Sequence, residues 1–392
     1  MNRVQKHLPL TRRKLSIAEF ICIMLLILSI LAGVSAMQSS AGMAHAPQPS
    51  LPCDADINEM ELEEVLEPNH GLFPDFRYDR ESMTFRIPKS DGFSLDIDEV
   101  EHNELYHQRQ YILSLSVSDP LYLGYGNMII NDDVFRSVTI APSEYGYIKL
   151  TFNYRQIIVF DVSEDEYYYI IRAMHPRERY SHIVVIDPGH GGHLPGAVHG
   201  GVRESDLNLA VTRYLIELIE KDGYIRAYTT RNSDVHVCLW SRARFGNEVG
   251  DMFISIHHNA STNRNIHGTE AFYFHRPPGV CITHIMEPDE YCDEYCHRVD
   301  DIAYAAFGHS RDLSDIMRQQ MTDQLSTRDR GSHNRRFVVL RYSRIPATLV
   351  ELGFMSNAAE LARMRTGEFQ RQAAQALYDG LLEAFELMPP SR

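Results

Sequence analysis

An α/β domain with a mostly parallel sheet flanked by helices, preceded by a small all-β domain, is the architecture this sequence predicts. Three observations carry it. The chain has 392 residues, more than one typical domain needs. Between residues 76 and 175 short β-rich runs recur, separated by turn residues. From residue 181 to about 388 the pattern changes to alternating strand-like and helix-like segments.

The β-rich runs fall at 83–87, 111–117, 137–140, 147–152, 157–162 and 167–171, with turn signals such as Ser90-Asp91-Gly92 and Asn131-Asp132-Asp133 between them. Short strands at this spacing predict a small sandwich. In the second region strands are expected at 183–187, 225–229, 252–257, 269–274, 337–340 and 348–352, and helices at about 205–221, 239–249, 313–325 and 368–387. The first of these helices has Leu207, Val211, Tyr214, Leu215 and Leu218 on one stripe and Gly223 placed to end it. Alternation of this kind predicts a largely parallel sheet.

The N-terminus has its own texture. Arg3, Lys6, Arg12, Arg13 and Lys14 precede an apolar run over 20–34, and small residues follow at Val34-Ser35-Ala36 and Ala44-His45-Ala46. This is the pattern of a secretory signal peptide, or of a membrane anchor if the segment is retained, over residues 1–36. A Ser-, Ala- and Pro-rich start makes 37–75 a linker. The folded part is therefore expected outside the cytoplasm, secreted or anchored, in a periplasm or cell wall. It would touch a membrane only through that segment. The six cysteines are too sparse for a disulfide scaffold, and Cys292 and Cys296 have no CxxC partner to build a structural zinc site.

Hydrophobic residues make up 44% of the chain and charged ones 23%, enough for a packed core, and the formal net charge is -15. An acidic balance of that size argues against a nucleic-acid binder, which needs clustered Lys and Arg.

Three polar clusters close apolar strands: Asp187-Pro188-Gly189-His190-Gly191-Gly192, Ser255-Ile256-His257-His258-Asn259, and Glu351-Leu352-Gly353-Phe354. Ligands of open α/β sheets bind outside the carboxyl ends of the strands, so the clusters are expected to converge. Glu204, opening the first helix, starts on the same side. Two His and one Glu form the donor set of a catalytic zinc site, with a fourth position left for water. Each piece alone has a plainer reading. A single His at a strand end is usually structural, and a Glu at a helix start usually complements the dipole. No Gly-Lys-Ser/Thr follows the glycine-rich turn and no HExxH occurs, so neither a phosphate loop nor a helix-borne zinc protease fits.

In order along the chain, Asp187 to Gly192, Gly196-Ala197, Gly201-Val202-Arg203-Glu204, Asn208-Leu209, Thr230-Arg231, Arg242, Asn247, Asp251, His257, Asn259-Ala260, Gly268-Thr269-Glu270, Arg330-Gly331, Pro346-Ala347, Glu351 to Phe354 and Ser356-Asn357 resemble the zinc-dependent N-acetylmuramoyl-L-alanine amidases. The resemblance runs from about residue 183 to 385. It implies that His190, Glu204 and His257 hold Zn2+ and that Glu351 is the catalytic general base. It also implies peptidoglycan as the substrate, cut between N-acetylmuramic acid and L-alanine. His258 stands where most relatives have a small residue, and Leu194 where many have Asp. His193, His199, His267 and His333 are expected at the surface or along the cleft.

Two further readings stay open at this point. One is a wall-binding or regulatory protein of the same fold without activity, and the other a related zinc hydrolase acting on a different amide. The β domain bears a faint resemblance to wall-targeting modules and is expected to bind the wall or a partner. The stretch at about 275–310 is long for a connection. Tyr291, Cys292, Tyr295, Cys296, Val299, Ile302 and Ala303 recur there at helical spacing. By resemblance to similar amidases it is an insertion whose helix would cover the zinc cleft until a protein activator displaced it, with Glu287, Glu290 and Glu294 as candidates to approach the metal.

Overall fold

The computed structural model describes residues 76–89, 101–116, 124–143, 147–275 and 302–390. The expected export segment, the linker and most of the 275–310 insertion lie outside the described residues. So do the glutamates proposed to approach the metal.

The first region is antiparallel. Strands β1 (Arg77–Asp79), β2 (Thr84–Pro88), β3 (Glu101–Leu105), β4 (Gln110–Ser116), β5 (Gly126–Ile129), β6 (Phe135–Pro142), β7 (Tyr147–Tyr154), β8 (Val159–Glu164) and β9 (Tyr168–Met174) form two sheets. Their orders are β1-β2-β9-β8 and β3-β4-β7-β6-β5. In β7, Ile148, Leu150, Phe152 and Tyr154 are buried while the residues between them are not, the period-2 signature of a sheet with one face packed. Phe85 of one sheet meets Phe152 of the other edge-on at 4.9 Å, so the sheets share a core.

Helix α1 (Pro176–Arg179) leads into the second region. It begins with a capping box, His175 accepting from the Arg177 amide while Glu178 accepts from the His175 amide. There follow β10 (Ile183–Pro188), the hairpin β11 (Val198–His199) and β12 (Val202–Arg203), α2 (Glu204–Asp222), β13 (Arg226–Thr229), α3 (Leu239–Val249), β14 (Met252–Asn259) and β15 (Thr269–Tyr273). The chain continues through α4 (Ile302–Leu325), β16 (Asp329–Asn334), α5 (Val338–Arg341), β17 (Ala347–Phe354), α6 (Ala358–Met364) and α7 (Gly367–Leu387). The six-stranded sheet has the order β13-β10-β14-β17-β15-β16. All pairs are parallel except β15 with β17.

Strands β10 and β17 are buried along their whole length, as expected of central strands covered on both faces. On one face Val184, Ile186, Ile254, Ile256 and Val350 pack with Leu207, Val211 and Leu215 of α2, Met317 and Met321 of α4, and Leu377 and Leu381 of α7. On the other, Ile183, Val185, Tyr228, Phe253 and Leu349 belong to an apolar cluster that continues unbroken into the antiparallel sheets. The seam between the regions is also polar. Arg109 grips Glu248 with both terminal nitrogens at 2.6 and 2.8 Å, the Ile157 amide donates to the same carboxylate at 2.9 Å, and Arg226 pairs with Glu104.

Helix α2 ends as its sequence predicts. Gly223 takes the left-handed conformation, φ 75°, and its amide caps the Ile219 carbonyl. Two local expectations are corrected. Residues 338–340 lie in α5, with Phe337 as its N-cap, rather than in a strand, because four apolar residues in a row do not distinguish the two by period. The sixth strand of the sheet is instead β16, a polar edge strand, Asp-Arg-Gly-Ser-His-Asn.

Candidate metal centre and active site

The crevice lies at the carboxyl ends of β10, β14 and β17. Three side chains converge there: His190 from the turn after β10, Glu204 from the first residue of α2, and His257 from β14. One candidate ligand atom from each lies within 4.8 Å of the others. Glu204 Oε1 sits 2.8 Å from His257 Nδ1 and 3.2 Å from His190 Nε2. Its other oxygen accepts from the Ala197 amide at 2.9 Å.

The local backbone makes this possible. His190 itself has φ 61°, an uncommon conformation for a residue with a side chain, of the kind that clusters at functional sites. A Cβ at Gly189 would lie 2.2 Å from the His257 ring, and one at Gly196 would lie 2.4 Å from Glu204 Oε2. Glycine at these two positions therefore leaves the space that the three side chains occupy.

Beneath the crevice a buried polar network ties the segments together. Asp187 accepts from Thr230 at 2.5 Å, Arg242 at 2.7 Å and Ser255 at 2.7 Å. Arg242 also donates to the carbonyls of Pro188 and His190. Arg231 donates to the carbonyls of Gly189 and Ser205, both at 2.9 Å, so one guanidinium joins the loop of His190 to the helix of Glu204. Burial alone would push the Asp187 carboxyl up, but the Arg242 charge and three hydrogen bonds outweigh it and hold the group below its ordinary value.

Burial also opposes the charge of Glu204, and bonds from the His190 and His257 rings reverse that, leaving its carboxyl well below the usual range. Glu351 is the opposite case. It is the register partner of both His257 and Glu270, its Oε2 is buried without a partner among the described residues, and burial plus the neighbouring charges of Glu204 and Glu270 push it well above its ordinary value.

His258 is fully buried on the other face of β14 from His257. Its Nδ1 meets Asn208 Oδ1 at 2.7 Å, Asn208 in turn donates to the Gly189 carbonyl at 3.1 Å, and burial lowers the imidazole to about 4. Neutral His258 thus props the amide that braces the His190 turn. His193 and His267 are exposed, and His199 and His333 half-buried. Asp187, Arg231, Arg242 and Asn208 carry no signal of their network role in the sequence beyond matching the family pattern. Their contacts depend on which loops the sheet order brings together.

The sheet order and the cluster of two imidazoles and a carboxylate define an α/β protein with a candidate metal centre at the carboxyl ends of its strands. The family model for N-acetylmuramoyl-L-alanine amidases matches residues 184–383, and the chain belongs to that family. Among curated relatives, it is 31% identical over 199 residues to the uncharacterized protein YqiI of Bacillus subtilis, a match covering 50% of this chain and 82% of that protein. It is 27% identical over 203 residues to the N-acetylmuramoyl-L-alanine amidase LytC of Bacillus subtilis, covering 52% and 35%. It is 29% identical over 219 residues to the N-acetylmuramoyl-L-alanine amidase AmiC of Escherichia coli, covering 52% of each. Of LytC and AmiC the chain thus spans about a third and about half. Among solved structures, amidase AmiC2 of Nostoc punctiforme is 30% identical, covering 53% of this chain and 98% of that one at a TM-score of 0.42.

Proposed function

We propose that the chain hydrolyses the amide between the lactyl group of N-acetylmuramic acid and L-alanine in peptidoglycan. The observation that carries the reading is the convergence of His190, Glu204 and His257 beside Glu351 in a chain of the amidase family.

The donor set fits zinc. Two imidazoles and one carboxylate with a side open to the cleft are what catalytic zinc sites use. Zinc bound there would polarise the scissile carbonyl, lower the pKa of water and, as a positive charge, favour the ionised form of Glu351. Glu351, from the neighbouring strand, takes the proton from the attacking water and returns it to the leaving amine of L-alanine. Its unpartnered Oε2 leaves an oxygen free for that exchange. Arg231 holds the His190 turn against the start of α2 and Arg242 ties that turn to the end of β10, so the two ligand-bearing segments keep their spacing. Against the second reading, a non-catalytic binder, stands the presence of His190, Glu204, His257 and Glu351 together.

The activity is expected outside the cytoplasm, reached through the N-terminal segment, with the wall as substrate. Replacing His190, Glu204 or His257 by Ala should remove zinc and peptide release together. Elemental analysis checks the first, and mass analysis of fragments released from peptidoglycan identifies the bond cut. Full zinc occupancy in all three variants would sink the ligand assignment.

A further inference from the structure

The cleft does not end at Glu351. Across the sheet from β14 the residues at one level are His257, Glu351 and Glu270, paired in register. The next strand, β16, breaks step. Thr269 pairs with Asp329 and Ala271 with Ser332, so the single residue Glu270 faces two, Arg330 and Gly331. This is a β-bulge, uncommon between parallel strands, and Gly331 at φ 91° supplies the backbone conformation it needs. Bulges next to active sites re-aim a side chain.

The side chain re-aimed here is Arg330. Its Nε donates to Glu270 Oε2 at 3.2 Å and its guanidinium lies 5.0 Å over the ring of Phe354, the last residue of β17. Glu270 is fixed in turn by Asn259, whose amide donates to Oε1 at 2.7 Å. His333 braces the backbone, its Nε2 3.0 Å from the Arg330 carbonyl. Held on three sides, Arg330 keeps its two terminal nitrogens without a hydrogen-bond partner among the described residues, and its side chain is 26% exposed. A planar guanidinium fixed by Nε and by stacking, with both terminal nitrogens free, is the fork that binds a carboxylate with two parallel bonds.

We propose that Arg330 recognises a carboxylate of the peptide stem, the free α-carboxylate of the glutamate that follows L-alanine. This rests on the amidase reading and adds the substrate feature that selects within it. The distances agree. Arg330 and Glu351 are two strand spacings apart, roughly 10 Å. From the scissile amide to a carboxylate on the second stem residue is about two residues of extended chain, roughly 7 Å, and the arginine side chain covers the remainder. A stem laid across β17, β15 and β16 then places its reacting end at Glu351 and its carboxylate at the fork. Glu270 has a second part in this arrangement. It neutralises Arg330 in the free protein and fixes the orientation of the fork, so the geometry is set before substrate arrives.

The test compares two soluble muropeptides that differ at one group, the α-carboxylate of the second residue against its carboxamide, with the full zinc-loaded chain. The wild type should prefer the carboxylate form by at least tenfold in kcat/KM, mainly through KM. In Arg330→Gln the ratio between the two substrates should collapse toward one, with zinc content kept. Arg330→Lys, which keeps the charge and loses the fork, should fall between. An unchanged ratio in Arg330→Gln, or no preference in the wild type, would overturn the assignment and leave Arg330 as a structural partner of Glu270. Peptide release from neither substrate by wild type would instead overturn the amidase reading and the inference with it. If Arg330→Gln does not fold, inhibition of the wild type decides. The dipeptide of L-alanine and glutamate with a free α-carboxylate should inhibit at least tenfold more strongly than its carboxamide, and equal inhibition would refute the fork.

Discussion

Two buried carboxylates stand two strands apart at the same end of the sheet, and they have opposite surroundings. Asp187 closes β10 with both oxygens bonded, to Thr230, Ser255 and the guanidinium of Arg242. Among the described residues Glu351, on β17, has one oxygen without a partner and the charges of Glu204 and Glu270 for neighbours. A buried charge that is paired and fully hydrogen-bonded holds structure, and one that is not stays costly until something arrives to meet it. In the proposed mechanism that difference separates a residue that builds the crevice from one that works in it. Glu351 is the group whose protonation a bound cation and a reacting water would change. Asp187 is ionised already and committed to its partners.

The sharpest way to break that comparison is at Glu351. Glu351→Gln keeps the shape and removes the ionisable group, so it should lower peptide release by roughly 10²- to 10⁴-fold, the range a general base contributes. Zinc content should be unaffected, and the melting temperature equal or higher, since an unpaired buried acid has been replaced by a neutral amide. Near-normal turnover would mean that another residue takes the proton.

Asp187 should show the reverse pattern. Asp187→Asn leaves the Arg242 charge buried without its counter-ion, a loss of about 3–5 kcal/mol in unfolding free energy, readable by denaturant titration. Replacing both partners with apolar residues of similar size should cost less than the single change. The sign with pH follows from the depressed carboxyl. Its stabilisation is present above the unfolded value near 4 and is lost as pH falls through the folded one. The wild-type advantage over Asp187→Asn should therefore be full at neutral pH and shrink in acid. A constant gap down to strongly acid pH would show that the charge is not what stabilises.

Much of this was legible in the sequence, and the parts that were not have physical reasons. Strands β2, β4, β6, β7, β8 and β9 announce themselves by β-branched and aromatic runs, and β10 and β17 by continuous apolar residues. Strands β1, β3, β5 and β16 do not, because they are short or polar edge strands, such as Glu-His-Asn-Glu-Leu and Asp-Arg-Gly-Ser-His-Asn, whose pairing is decided by their neighbours. His190, Glu204 and His257 could be picked out because each sits where an apolar strand or a helix meets the crevice end. The roles of Arg231 and Arg330 could not. One bridges loops distant in sequence, and the other depends on a one-residue slip in register. Likewise, the turn residues that separate the two regions say nothing about the apolar and ionic seam joining them.

That seam offers the smallest test of the comparison. Glu248 is a third carboxylate with its bonds filled, by Arg109 at 2.6 and 2.8 Å and by the Ile157 amide at 2.9 Å, but it is partly exposed where Asp187 is sealed. If satisfaction and burial together set the value of such a group, solvent should screen part of what Glu248 contributes, and Glu248→Ala should cost only about 1–2 kcal/mol. The loss belongs to the junction rather than the crevice, because the side chain bonds to Arg109, just before β4, and to the Ile157 amide, just before β8. Turnover of soluble muropeptides by the intact chain should therefore stay within about twofold, while thermal unfolding moves to lower temperature by a few degrees. Amide exchange should quicken at Ile157 and Arg109 and not at Asp187. A cost as large as that of Asp187→Asn would mean that the antiparallel sheets and the catalytic sheet fold as one cooperative body through this contact. Excising the first region would then expose Tyr228, Phe253 and their neighbours, and the expectation that it only localises the enzyme would give way to one in which it is part of the enzyme's core.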